Sequence, residues 1–337
     1  MLAEKLNDEK FLRYAMGRLY RYMWIPCRII LYFGTVLHVM FFINLVKEDT
    51  DSIANPIIKK IWLPIYAIST LHFHVFYHIL VYMSGNQHVT TPKFPPMEKR
   101  FSKEQIKGFK PLVRELLSHS HKTEEDVKKF CIENDYEKEM RYCEKCKADK
   151  PYSMSHCSTC KRCTYRLDHH CPWVNNCVSM ENNKIFLSFL VWCVIVFPQN
   201  YWLLWYFEES EAYKSHCHLN AFIYWQSSMI AYSVSCYCGM EMYLNFSGRT
   251  FLELLSQISR GPAIPKFDLE ATWRDYHFIN FGTYNLFPSL LFPYFYTTPI
   301  TGQEYCFIER KTEKEDFIQK HSEMLKKVFE KYNIKTA

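Results

Sequence analysis

Between Cys143 and Cys177 this chain places seven cysteines and three histidines within 35 residues. In order they run Cys143-x2-Cys146-x9-His156-Cys157-x2-Cys160-x2-Cys163-x4-Asp168-His169-His170-Cys171-x5-Cys177. Thiolate and imidazole are ligands that zinc favours, and a structural zinc site takes four of them in a tetrahedron. Each Cys-x2-Cys pair, Cys143/Cys146 and Cys157/Cys160, chelates one ion through a tight turn and needs two partners downstream. Two sites of three cysteines and one histidine would consume eight of the ten candidates. One cysteine and one histidine remain, and a spare thiol beside a spare imidazole is a nucleophile with its base.

Cys171 fits the part of the spare thiol. It follows two histidines directly, and Asp168 precedes them. A thiol must lose its proton to attack near neutral pH, an imidazole can take that proton, and a carboxylate fixes the imidazole's tautomer and supports its cationic form. Spacing alone does not say which of His169 and His170 is the base, nor how the ligands interleave. The competing reading is a non-catalytic zinc-binding membrane adaptor. A RING-like module, however, shows a second Cys-x2-Cys pair after its central block, whereas the isolated Cys177 closes this one.

The rest of the chain says where such a cluster must sit. The sequence has 337 residues, 17% of them aromatic, and a net charge of +6. Its mean hydropathy of -0.23 averages long apolar runs with a lysine-rich middle and tail. Four segments read as transmembrane helices: Trp24–Val46, Ile61–Met83, Ile185–Phe207 and Ala221–Phe246. A 23-residue helix reaches about 35 Å, enough for a hydrocarbon core of about 30 Å with some tilt. Trp24, Tyr82, Trp202, Trp205, Tyr206 and Trp225 lie near their edges, as interfacial belts do. The first 20 residues are charged and show no small-residue cleavage site, so no cleavable signal peptide is expected.

Lys and Arg number five before Trp24, three in 47–60, one in 208–220, nineteen in 84–184 and twelve in 247–337. The positive-inside rule therefore places both termini and the Cys-rich insert in the cytosol. A reducing compartment disfavours structural disulfides, so these cysteines read as ligands and catalyst. The basic residues are dispersed among acids, and no nucleic-acid partner is expected. The expected organisation is a cytosolic lead (1–23), helices one and two (24–83), a cytosolic linker (84–140), a Cys-rich zinc-binding catalytic domain (141–184), helices three and four (185–246) and a cytosolic tail (247–337). Residues 313–332 carry an amphipathic helical stripe. No internal repeat is read beyond the paired Cys motifs. Glu241, near the cytosolic end of the fourth helix, is expected to be exposed at the interface or paired.

The stretch from Cys143 through Phe186, with Asp168-His169-His170-Cys171-Pro172-Trp173-Val174-Asn175-Asn176-Cys177 nearly unbroken, resembles the Asp-His-His-Cys (DHHC) protein S-acyltransferases, or palmitoyltransferases. The resemblance implies an α-helical integral membrane protein with four transmembrane helices and a cytosolic two-zinc Cys-rich domain between helices two and three. It implies that Cys171 is the nucleophile that becomes acylated, with His169 as its base and Asp168 orienting that base. One zinc would take Cys143, Cys146, His156 and Cys163, and the other Cys157, Cys160, His170 and Cys177. Trp173 would stand at the mouth of an acyl cavity between the four helices. The implied partners are acyl-CoA as co-substrate, membrane-associated substrate proteins bearing cysteines, and the bilayer itself. The implied location is the endoplasmic reticulum or Golgi, with the plasma membrane as an alternative.

The sequence departs from the family pattern in several places. The family's Thr-Thr-x-Glu motif is Thr250-Phe251-Leu252-Glu253, with Phe251 in place of a threonine. An Asp-Pro-Gly motif after the second helix has no counterpart near Ser84–Pro92. Ser153, Ser155 and Ser179 stand where Arg, His and Gly are common. Gly282-Thr283-Tyr284-Asn285 keeps the Gly-x-x-Asn core of a tail motif. These departures concern tail docking and domain positioning; the catalytic residues are intact.

Overall fold

A computed structural model describes residues 22–48, 58–82, 107–108, 141–150, 154–206, 217–260 and 273–295. The expected amphipathic stripe at 313–332, the lead before residue 22 and nearly all of the 84–140 linker lie outside the described residues. Four long helices are present: α1 (Trp24–Glu48), α2 (Leu63–Tyr82), α3 (Asn183–Tyr206) and α4 (Cys217–Phe246). A π-turn over Ile58–Trp62 leads into α2. Among the described residues, two stretches are long and apolar enough to cross a membrane, Lys60–Tyr82 and Asn183–Trp202. α4 is long enough but polar residues interrupt it, among them Gln226, Ser227, Ser228 and Glu241.

α3 packs against both α2 and α4. The shared core holds Phe73, Phe76, Tyr77 and Leu80 of α2 with Phe186, Phe189, Leu190 and Val196 of α3. Phe73 and Phe189 stack with ring centroids 5.3 Å apart. Cys171, Val174 and Val178 belong to this same core, so the Cys-rich insert is seated on the helices. α1 meets α2 through Tyr32, whose hydroxyl lies 3.0 Å from His78 Nε2.

Between α2 and α3 the chain forms three antiparallel hairpins: β1 (Arg141–Cys143) with β2 (Ala148–Lys150), β3 (Met154–Cys157) with β4 (Arg162–Tyr165), and β5 (His169–Cys171) with β6 (Asn176–Val178). The three are copies of one motif. The closing pairs of their ladders are Cys143↔Ala148, Cys157↔Arg162 and Cys171↔Asn176. The last turn residue has positive φ each time: Lys147 at 52°, Lys161 at 55° and Asn175 at 50°. Equivalent positions lie 14 residues apart throughout. This corrects the sequence reading, which registers no repeat beyond the paired cysteines. A search by residue type passes over it because the first hairpin lacks ladder ligands and the third lacks a second knuckle thiol. Ladders of three or four residues do not stand alone in water, so these hairpins need something other than hydrogen bonds to hold them.

After α4 the chain turns at Gly248, whose φ of 68° ends the helix in the left-handed region. Its Cβ position is taken by the Tyr276 ring, so only glycine fits. The Arg249 amide closes back on the Leu244 carbonyl at 2.9 Å, as in a Schellman ending. Then follow α5 (Phe251–Arg260), α6 (Trp273–Phe281) and α7 (Leu286–Leu291). α6 packs on α4 and α7 on α3. Phe281 and Leu290 close over Leu187, and Trp192 Nε1 donates to the Leu291 carbonyl at 3.2 Å. The described part of the tail, 247–260 and 273–295, is therefore docked in spite of its departures from the family motif.

That docking carries a pH dependence. His277 of α6 is fully buried, with Ser289 Oγ 2.9 Å from its Nε2. Burial pushes its pKa down to about 4. In the unfolded chain a histidine titrates near ~6.5, so between there and ~4 the unfolded state binds the extra proton and stability falls as pH falls. Lowering the pH from ~6.5 to ~4.5 is expected to weaken tail docking by about 2 kcal/mol. Hydrogen exchange across α6 should register the loss, and His277→Gln should flatten the pH dependence.

Candidate active site and metal centres

Eight of the ten ligand-type residues fall into two clusters. In the first, His156 Nδ1 lies 3.5 Å from Cys143 Sγ, 3.3 Å from Cys146 Sγ and 3.8 Å from Cys163 Sγ. In the second, His170 Nδ1 lies 3.7 Å from Cys157 Sγ, 3.3 Å from Cys160 Sγ and 3.9 Å from Cys177 Sγ. Within each set the donor atoms all lie within 4.8 Å of one another. A zinc tetrahedron built from Zn–S of ~2.3 Å and Zn–N of ~2.0 Å has edges of about 3.5–3.8 Å. The spacing fits that metal.

The hairpin repeat explains the interleaving. The first cluster joins the Cys-x2-Cys knuckle of hairpin one to the facing pair His156↔Cys163 of hairpin two. The second joins the knuckle of hairpin two to the pair His170↔Cys177 of hairpin three. Each junction links one knuckle to the next ladder, so three hairpins make two junctions.

The protonation pattern also fits a dication. Hydrogen bonds from Cys160 and Cys177 hold the Cys157 thiol well below its usual pKa, while those with Cys157 and Cys160 drive Cys177 well above its own. Burial opposes ionisation of Cys143, but hydrogen bonds from the Cys146 amide and the Cys163 thiol lower its pKa overall. Burial and hydrogen bonds with the Cys143 and Cys146 thiols push Cys163 up to about 12. Packed thiols cannot all ionise together unless a cation shares the site.

Cys171 belongs to neither cluster. It is buried at the end of β5 and is a hydrogen-bond partner of His169. His169 Nδ1 lies 2.7 Å from Asp168 Oδ2. Burial works against the imidazolium, but hydrogen bonds to Asp168 and Cys171 outweigh it and raise the His169 pKa to about 10. The imidazole therefore favours its cationic form beside the thiol, the arrangement that stabilises a thiolate.

Asp168 is itself fixed from two sides. Its amide donates to the Val178 carbonyl at 2.9 Å, and its Oδ1 accepts the Phe251 amide at 2.6 Å. The second bond comes from the free N-terminus of α5, where unpaired amides and the helix dipole favour a carboxylate. Thr250 and Glu253 form a capping box there: the Thr250 amide donates to Glu253 Oε2 at 2.8 Å, and the Glu253 amide to Thr250 Oγ1 at 3.2 Å. Arg166 ties this turn back to the Cys-rich domain through Gly248 O at 2.6 Å and Glu253 Oε2 at 3.5 Å. Because the bond to Asp168 comes from a backbone amide, it survives with Phe251 in place of threonine.

Two residues outside the expected set complete the site. Tyr237 of α4 places its hydroxyl 3.3 Å from His169 Nε2, with the rings edge to face. Glu241, one turn on, is only 3% exposed and lies in one cluster with Asp168 and His169. This corrects interfacial exposure as its account. An ionisable residue inside an apolar helix was a signal for Glu241, whereas a lone tyrosine in an aromatic-rich helix gave none. Tyr237→Phe is expected to slow reaction of the Cys171 thiol with a thiol-directed electrophile by about three- to tenfold, the worth of one hydrogen bond, read in a single-turnover assay. Trp173 is half-exposed beside Cys171, and its carbonyl accepts the Tyr77 hydroxyl at 3.0 Å.

Residues 136–258 match the family model described as DHHC palmitoyltransferase. Palmitoyltransferase PFA3 of Debaryomyces hansenii is 38% identical over 119 residues, covering 34% of this chain and 29% of that protein. Palmitoyltransferase ZDHHC2 of Homo sapiens is 32% identical over 120 residues, covering 34% of this chain and 32% of that protein. Palmitoyltransferase ZDHHC15 of Homo sapiens is 34% identical over 122 residues, covering 34% of this chain and 35% of that protein. The chain thus spans about a third of the length of the curated relatives it matches, and residues 136–258 hold both Cys/His clusters and the Asp168–Cys171 run. Residues 136–258 are thus similar to the DHHC palmitoyltransferase domain, and the curated proteins the chain resembles are palmitoyltransferases.

Proposed function

We propose that the chain is a membrane-embedded protein S-acyltransferase that moves a long-chain acyl group, palmitoyl, from acyl-CoA to cysteines of substrate proteins. The observation that carries this reading is the isolation of Cys171. It alone of the seven clustered cysteines stands outside both four-ligand sets, and it shares a hydrogen bond with an imidazole that Asp168 holds.

Cys171 Sγ, as the thiolate, attacks the thioester carbonyl of acyl-CoA. The C–S bond to CoA breaks, and the leaving thiolate takes the proton from the His169 imidazolium. His169 then accepts the proton of a substrate cysteine, whose thiolate attacks the acyl group on Cys171 and restores the Cys171 thiolate. One thioester is exchanged for another at each step, so positioning and thiolate activation do the catalysis. Zinc bound by Cys143, Cys146, His156 and Cys163, and by Cys157, Cys160, His170 and Cys177, supplies cross-links between hairpins. In this reading those residues hold the loop in place and take no part in proton transfer.

Four spans, α1 to α4, carry the domain in this reading, with both termini and the Cys-rich domain in the cytosol. The lipid chain of the donor then enters among the helices, past Trp173. Seating of Cys171 on the core of α2 and α3 supports this placement. The location in this reading is the endomembrane system, endoplasmic reticulum or Golgi, with the plasma membrane as the alternative. The test is incubation of purified protein with a labelled acyl-CoA. A hydroxylamine-sensitive adduct on the chain with release of CoA supports the reading. Zinc-dependent partner binding with no adduct would instead make the domain an adaptor.

A further inference from the structure

The hairpin repeat places Cys171 at a metal-ligand position. Cys143 and Cys157, its counterparts in hairpins one and two, are both in the metal clusters. The second knuckle position is Cys146, then Cys160, then Val174. The turns match in length, in ladder closure and in the left-handed residue that ends them. Hairpin three is thus a knuckle with one thiol removed, and among the described residues no fourth hairpin follows it to supply the other two donors.

Helices take over what metal does elsewhere. Val174 is fully buried in the core that joins Tyr77 of α2 to Phe186 and Leu190 of α3. The same knuckle is hydrogen-bonded to α2 at two points, Tyr77 Oη to the Trp173 carbonyl at 3.0 Å and Asn176 Nδ2 to the Leu80 carbonyl at 3.1 Å. Apolar packing and these bonds hold the turn with no ligand on its second position.

We propose that Val174 is the residue that keeps Cys171 a nucleophile: it fills the second ligand position of a third zinc knuckle with a side chain that packs but cannot bind metal. This rests on the assignment of Cys171 as the acylated residue. A thiol at 174 would restore Cys-x2-Cys beside the His169 imidazole, giving three donors and an open fourth position, while Asp168 stays bound to His169 Nδ1 and the Phe251 amide. Zinc would displace the two thiol protons, and a thiolate bound to it would lose the lone-pair availability that attack requires.

The test is Val174→Cys, purified under thiol reductant, with metal per chain and acyl adduct measured on the same sample. Wild type is expected to hold two zinc ions and the variant three, with the adduct at least about tenfold lower. A chelator titrated to remove only the weakest ion should bring the adduct back. Val174→Ala, which adds no donor, is expected to hold two ions. Two ions and a full adduct in Val174→Cys would overturn the proposal, and so would loss of the adduct without a third ion. Should that variant hold fewer than two ions, Val174→His is read against the same outcomes. Absence of an adduct in wild type would reject the acyltransferase assignment instead, while the metal count would still show whether the third knuckle is latent.

Discussion

Cys171→Ser is expected to abolish the hydroxylamine-sensitive adduct and to reduce acyl transfer by at least about a thousandfold, the scale seen when a covalent nucleophile is removed. The serine hydroxyl is far too weak an acid for the His169–Asp168 pair to ionise it as they do a thiol. The substitution nevertheless leaves both metal clusters untouched, because Cys171 belongs to neither. Metal content of two per chain and an unchanged protease digestion pattern should accompany the loss. Persistence of adduct and transfer in this variant would remove Cys171 from the mechanism.

Cys160→Ser should be about as damaging to activity by a different route. Cys160 Sγ lies 3.3 Å from His170 Nδ1 and 3.4 Å from Cys177 Sγ, so it closes the junction between hairpins two and three. Binding of zinc to such a ligand set is worth ~10–16 kcal/mol in small zinc domains, and nearly all of it is folding free energy. The hairpin that carries His169 and Cys171 has a three-residue ladder and would lose this anchor. Metal content is expected to fall from two ions to one, with the adduct reduced at least about a hundredfold and cleavage in the Cys-rich domain accelerated. A variant that retained two ions and full activity would show that the second cluster is not a metal site. The pair of variants separates chemistry from scaffold: both lose the adduct, and only one loses metal.

Much of the site was legible in advance because ligand chemistry is a matter of residue type and short spacing. Two Cys-x2-Cys pairs and a ligand count with two members to spare implied two sites and a free thiol–imidazole pair. The docking of Asp168 was not legible. The motif comparison read Phe251 as a missing threonine, yet a backbone amide at that position makes the bond to Asp168 whatever its side chain. Tyr237 and Glu241 lie some 70 residues from His169 in the chain. They reach it only because α4 packs against α3 beside the third hairpin, a non-local contact that no spacing encodes.

The sequence by itself determined the ligand inventory, the presence of a spare thiol with an imidazole and a carboxylate, and the apolar segments that flank them. These depend on composition and local periodicity, which are complete in one dimension. Tertiary structure decided which histidine joins the second cysteine cluster and which stands beside Asp168 and Cys171. His170 faces Cys177 across its ladder toward the second knuckle, while His169, one residue earlier, points to the opposite side of the strand, where Asp168 and Tyr237 meet it. The physical reason is the two-residue period of a β-strand: neighbouring histidines cannot share a face, so one goes to the metal cluster and the other to Cys171.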